Sequence, residues 1–181
     1  MGDLYPFEDH FLEMGGLKHH YLDEGQGDPV VMVHGNPSWS FYYRDLAGAL
    51  RDRYRVIVPD HIGCGLSDKP SAADYPYTLE RRVEDLDRLL HRLDVTERIT
   101  TVIHDWILNT AAFHLPVGKN FPLALRICRD TALGRFLVLQ LNLFARMAAK
   151  VGCKRNPMPA QLRNSYCAPY NTPANRIATL S

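Results

Sequence analysis

Short continuous apolar runs alternate along this chain with stretches where apolar residues recur every three or four positions. Pro29-Val-Val-Met-Val-His34 and residues 54–59 and 99–104 are runs of the first kind, suited to strands buried on both faces. Ahead of them, residues 10–14 and 17–23 read as two short strands turned at Gly15-Gly16, a hairpin. Tyr43, Leu46, Ala47 and Leu50 recur at helical spacing, with Ser40 as the candidate N-cap. Thr78 is the candidate cap of a second helix, whose predicted apolar face is Leu79, Val83, Leu86, Leu90 and Leu93. Strands alternating with amphipathic helices call for an α/β architecture with a mostly parallel sheet. In such sheets chemistry gathers where the strands end. Those ends are His34-Gly35-Asn36, Asp60-His61-Ile62-Gly63 and His104-Asp105-Trp106.

From Phe121 onward the pattern turns helical, basic and strongly apolar. Residues 133–152 read as one helix with a narrow polar stripe of Arg135, Asn142, Arg146 and Lys150, predicted to be buried on more than one side. Pro159 is placed to begin a further helix running towards Tyr166. Charge follows the same division. Residues 1–111 carry 11 Lys/Arg against 19 Asp/Glu, whereas residues 112–181 carry 10 Lys/Arg against the single acid Asp130. The expected units are therefore 1–114, the sheet-bearing core, and 115–181, a helical region. Their opposite charges either attract one another or merely solvate their faces.

Composition narrows the picture further. No run of about 18 apolar residues is present, which argues against a spanning helix, and the acidic N-terminus lacks the pattern of a secretory signal. The four cysteines have no metal-type spacing, so the expectation is a cytoplasmic protein with reduced thiols. No His/Cys/carboxylate grouping has metal-ligand spacing, and neither a metal nor a cofactor is expected. No Gly-x-Ser-x-Gly elbow occurs to support a serine nucleophile. Basic residues interleaved with apolar ones, without a recognised motif, give no support for nucleic-acid binding.

Four segments, in order, resemble one family. They are His34-Gly-Asn-Pro-Ser-Trp-Ser40, Asp60-His-Ile-Gly-Cys-Gly-Leu-Ser-Asp-Lys-Pro70, Val102-Ile-His-Asp-Trp106 and Asn109-Thr-Ala-Ala-Phe-His-Leu-Pro116. Together they are similar to the haloalkane dehalogenases of the α/β-hydrolase superfamily. The helical region, with Asn175-Arg-Ile-Ala-Thr-Leu180, resembles the subgroup acting as β-lactone decarboxylases in long-chain olefin biosynthesis. The resemblance implies a core plus a helical cap, an apolar substrate, and Asp105 as the nucleophile. A carboxylate becomes effective when positioned and partly desolvated beside an electrophilic carbon. Asn36 and Trp106 would then steady the leaving group and oxyanion with N–H donors. By the same resemblance His34, Gly35, His104 and Asp60 support the site without acting as base. On residue type alone, Asp105 could equally be a loop or capping aspartate, Trp106 a core aromatic and Asn36 a turn residue.

Two departures from the family pattern bear on function. The family continues from its nucleophile through Gly-Gly into a helix and then a strand, but here Trp106 runs directly into Ile107-Leu-Asn-Thr110. About twenty residues, the length of a strand–helix unit, are expected to be missing. The family's catalytic acid and water-activating histidine come later than any such residue here. The expectation is a partial fold, without the nucleophile helix, one strand and the C-terminal strands. Three accounts remain open: an aspartate-nucleophile enzyme impaired in this chain, a non-catalytic module binding a partner protein or membrane surface through residues 121–155, or an incomplete reading frame.

Overall fold

The computed structural model describes residues 2–104, 127–128, 130–151 and 157–180. Five strands form one sheet: β1 (His10–Met14), β2 (Leu17–Glu24), β3 (Pro29–His34), β4 (Arg55–Pro59) and β5 (Thr100–His104), in the order β1-β2-β4-β3-β5. The central trio β4-β3-β5 is parallel, and the β1–β2 hairpin joins it antiparallel through β2 and β4. The apolar runs become these central strands because alternate residues serve both faces. Val30, Met32, Val56 and Val58 pack with Leu22, Trp39, Phe41, Tyr43 and Ala47 on one side. Val31 and Ile57 pack with Val95, and with Leu86, Leu90 and Leu93, on the other.

Helix α1 (Arg44–Leu50) covers the first face and α2 (Leu79–Arg92) the second. Thr78 caps α2 as expected, its hydroxyl accepting the Arg81 N–H. Ser40 is not a cap. It opens a 3-10 turn (Ser40–Tyr43) ahead of α1, and its hydroxyl pairs with Tyr5. The apolar face of α2 is also displaced from the predicted one. Leu89 is fully buried, whereas Leu79 and Val83 stand 58% exposed. Ile103, beside Val33 on the same sheet face, is 60% exposed.

The C-terminal part forms α3 (Ala132–Leu141), α4 (Leu143–Val151) and α5 (Ala160–Cys167), followed by 3-10 turns at Ala168–Tyr170 and Ala174–Leu180. The single helix expected over 133–152 is two helices. Asn142 takes a left-handed conformation (φ 53°) between them and buries its amide, which donates to the Tyr170 carbonyl. Nor is the pair buried all round: Leu133, Phe136, Leu141 and Met147 are exposed. Pro159 precedes α5 as the sequence suggests. No helix among the described residues is long and apolar enough to cross a membrane.

Candidate active site

The polar residues cluster where β3, β4 and β5 end, and the closest-knit of them is Asp60. Its carboxylate is completely buried yet receives three donors. The Ser40 N–H reaches Oδ1 at 2.6 Å, the Leu66 N–H reaches Oδ2 at 2.8 Å, and His20 Nδ1 meets Oδ2 at 2.8 Å. Gly65 is required here, since a Cβ on it would fall 2.0 Å from Asp60 Oδ2. His20 turns its other nitrogen, Nε2, to Asp9 Oδ1 at 3.0 Å. A ring facing carboxylate oxygens at both nitrogens donates from both and is an imidazolium. Burial opposes that charge, but the hydrogen bond and charge of Asp60, with Asp9 adding, outweigh it and raise the His20 pKa. Burial likewise pushes against the Asp60 anion, and the His20 contact reverses this, holding its pKa below the ordinary value. The pair locks the hairpin to the two loops that follow β3 and β4.

His34 is fixed in the opposite state. The His61 N–H donates to its Nε2 at 3.0 Å, so the proton sits on Nδ1, which faces the Gly35 carbonyl at 2.8 Å. It is a neutral ring held between the His61 N–H and the Gly35 carbonyl. His61 stacks edge-on against it at 4.6 Å. Burial, then the neighbouring His34 and Arg82 side chains, lowers the His61 pKa well below the ordinary histidine value. His19 is buried behind them, and its pKa too is lowered, chiefly by burial.

The loop carrying Asn36 is held from its other side by the C-terminal helices. The Tyr166 hydroxyl donates to the Pro37 carbonyl at 2.9 Å and the Tyr170 hydroxyl to the Ser38 carbonyl at 2.7 Å. Trp39 Nε1 donates to the Tyr166 carbonyl at 3.1 Å, and Asn36 Nδ2 to the Ala178 carbonyl at 3.1 Å. Gly63 allows the approach of this last turn, because a Cβ there would come within 2.4 Å of the Ala178 side chain. Arg176, buried without a carboxylate partner in these contacts, donates to the carbonyls of Tyr170, Leu139, Gln140 and Asn171. It thereby fastens the turn to the C-terminal end of α3.

Of the residues singled out from the sequence, Asn36, His34, Gly35 and Asp60 meet in this region. His104 pairs with His34 in the β3–β5 register. Asp105 and Trp106 lie outside the described residues. Sequence reasoning missed His20, Tyr166, Tyr170 and Arg176. Their partners lie between 5 and 132 positions away, and contacts chosen by tertiary packing leave no local pattern. Among the described residues no group of three or more His, Cys, Asp or Glu is placed to hold a metal.

Comparison with known proteins agrees with the fold. Residues 28–106 match the alpha/beta hydrolase fold family, a match that ends where the sequence departs from the expected pattern. The chain is 55% identical to a cis-3-alkyl-4-alkyloxetan-2-one decarboxylase of Shewanella oneidensis, over 98% of its own length and 62% of that protein's. That match runs over 197 residues while 98% of this 181-residue chain is about 177, so about 20 aligned positions have no counterpart here. Haloalkane dehalogenase 2 of Mycobacterium tuberculosis is 40% identical over 57% of this chain and 35% of that protein. The crystal structure of haloalkane dehalogenase DbeA from Bradyrhizobium elkani superposes with a TM-score of 0.80 at 25% identity, covering 96% of this chain and 67% of that one. The chain thus spans less than two thirds of the curated relatives it matches. It has the α/β-hydrolase fold and, within it, resembles the haloalkane dehalogenases and the cis-3-alkyl-4-alkyloxetan-2-one decarboxylases.

Proposed function

We propose that the chain carries the nucleophile part of a cofactor-free enzyme in which Asp105 attacks an electrophilic carbon of an apolar substrate, a β-lactone in preference to a haloalkane. The observation that carries this is the β3–β5 register. It sets His34 beside His104, so the Asn36 loop leaves the sheet next to the strand whose following residue is Asp105. Preference for the lactone rests on likeness to the decarboxylase over nearly the whole chain, against 57% of it for the dehalogenase. In the first step a carboxylate oxygen forms a bond to the electrophilic carbon as the bond to ring oxygen or halide breaks. The negative charge moves to that leaving group, where N–H donors from Asn36 and Trp106 would meet it. Asn36 Nδ2 is engaged with Ala178 in the structure and would have to exchange that partner.

Release of an ester formed from a haloalkane needs a base to activate water. The ester formed from a β-lactone would instead break down as its new carboxylate leaves as CO2, the C=C bond forms and the Asp105 carboxylate departs. His20 is held as an ion pair, His34 is locked at both nitrogens, and His19 is buried. None of these three is free to serve as that base, so none of them hydrolyses an ester formed from a haloalkane. The test is intact-mass analysis after incubation with a long-chain 1-haloalkane or a cis-dialkyl β-lactone. A substrate-dependent mass increase that disappears in Asp105→Asn is expected. If neither compound labels the protein or is consumed, the catalytic reading fails.

A second reading is favoured by the exposure of Leu133, Phe136, Leu141 and Met147 near the exposed cations Arg135, Arg146 and Lys150 in sequence. Those residues suit a module that docks through its basic, apolar C-terminal helices, acting as a cap in the enzyme or as a contact surface without it.

A further inference from the structure

The two tyrosines that reach back from the C-terminal helices do more than hold two parts of the chain together. A peptide unit is planar, so fixing its carbonyl fixes the direction of its N–H as well. Tyr166 fixes the Pro37–Ser38 peptide and Tyr170 fixes the Ser38–Trp39 peptide. Both phenols are buried, and both donate to backbone oxygens of one five-residue loop, residues 35–39. Tyr170 is itself held, because its carbonyl receives the Asn142 amide and the Arg176 guanidinium. On the core side the Ser38 N–H closes a turn onto the Gly35 carbonyl at 2.9 Å, and the Ser40 N–H is held by Asp60. Every peptide from Gly35 to Ser40 therefore has a neighbour fixed by one side or the other.

We infer that Tyr166 and Tyr170 are positioning residues for the Asn36 loop: their phenols set the orientation in which Asn36 is presented to the leaving group. This rests on the role proposed for Asn36, but the geometry is separable from the chemistry. The C-terminal helices then form a wall that aims the loop, and they cannot lift away from it without releasing Asn36. Loss of either phenol leaves a buried carbonyl unpaired and lets the loop sample other orientations.

The experiment compares Tyr166→Phe and Tyr170→Phe with Tyr77→Phe in the full chain. Tyr77 makes the same phenol-to-carbonyl bond, but to Pro70, outside residues 35–40. Amide hydrogen exchange is followed in residues 35–40 and in α2, together with the rate of ester formation from a cis-dialkyl β-lactone at saturating and limiting concentrations. Exchange in 35–40 about tenfold faster in the first two variants, with α2 and Tyr77→Phe unchanged, is expected. The maximal rate of ester formation should fall about tenfold, with half-saturation held. Unchanged exchange in 35–40 overturns the inference, and so does faster exchange with an unaltered maximal rate. If Tyr170→Phe does not fold, Tyr166→Phe decides on the same criteria. A wild-type chain that forms no ester sinks the catalytic reading instead, and the exchange data then judge the positioning alone.

Discussion

At the scale of single residues, the buried imidazoles split into two kinds, and the split sets a pH window. His20 has a raised pKa, so its contribution to stability is present below the ordinary value of 6.5 and is lost as pH rises through its folded value. His19 and His61 have lowered pKa values, so their contribution is present above 6.5 and is lost as pH falls through their folded values. Asp60, lowered from 3.8, adds a further loss in stronger acid. Thermal unfolding across pH should show a maximum bounded on the acid side by His19 and His61 and on the alkaline side by His20. His20→Gln should lower the maximum and erase the alkaline slope; an alkaline limb that persists in this variant would contradict the ion pair. The sequence exposed Asp60 through its motif, but not His20. The partner of a buried carboxylate is chosen by the packing of a separate hairpin, forty residues away.

At the scale of elements, what the sequence made legible was whatever one local pattern decides. The runs of β3 and β4 could only be strands covered on both faces, and Thr78 could only cap what followed it. The facing of α2 was harder to read. Leu79 and Val83 share the helical spacing of Leu86 and Leu90, but only the latter pair packs against Val31, Ile57 and Val95. The broken helix at 142 failed for a related reason: an asparagine in a polar stripe looks solvated until its tertiary acceptor, Tyr170, is known. Asn142→Gly keeps the left-handed backbone and loses only the hydrogen bond, about 1 kcal/mol. Asn142→Ala loses both and should cost about 2 kcal/mol. Denaturant midpoints that rank alanine above glycine would contradict the left-handed junction.

At the scale of the molecule, the acidic and basic parts of the chain meet through neutral groups. Phenols, an indole and an amide make the join between the Asn36 loop and the C-terminal helices. Among the described residues, Arg135, Arg146 and Lys150 stand exposed beside exposed Leu133, Phe136 and Met147, a basic and apolar surface for a partner. Co-sedimentation with anionic phosphatidylserine vesicles at low salt should retain the chain, and added salt should release it. Absence from the vesicle pellet at low salt would count against membrane contact and leave a protein partner for that surface. The same join has a consequence for biosynthesis. The carbonyls of Pro37 and Ser38 are made 129 and 132 residues before the side chains that satisfy them. At about 5–20 residues per second, they wait on the order of ten seconds in water. The loop at the heart of the site therefore stays unfinished until residues about 130 positions later have been made.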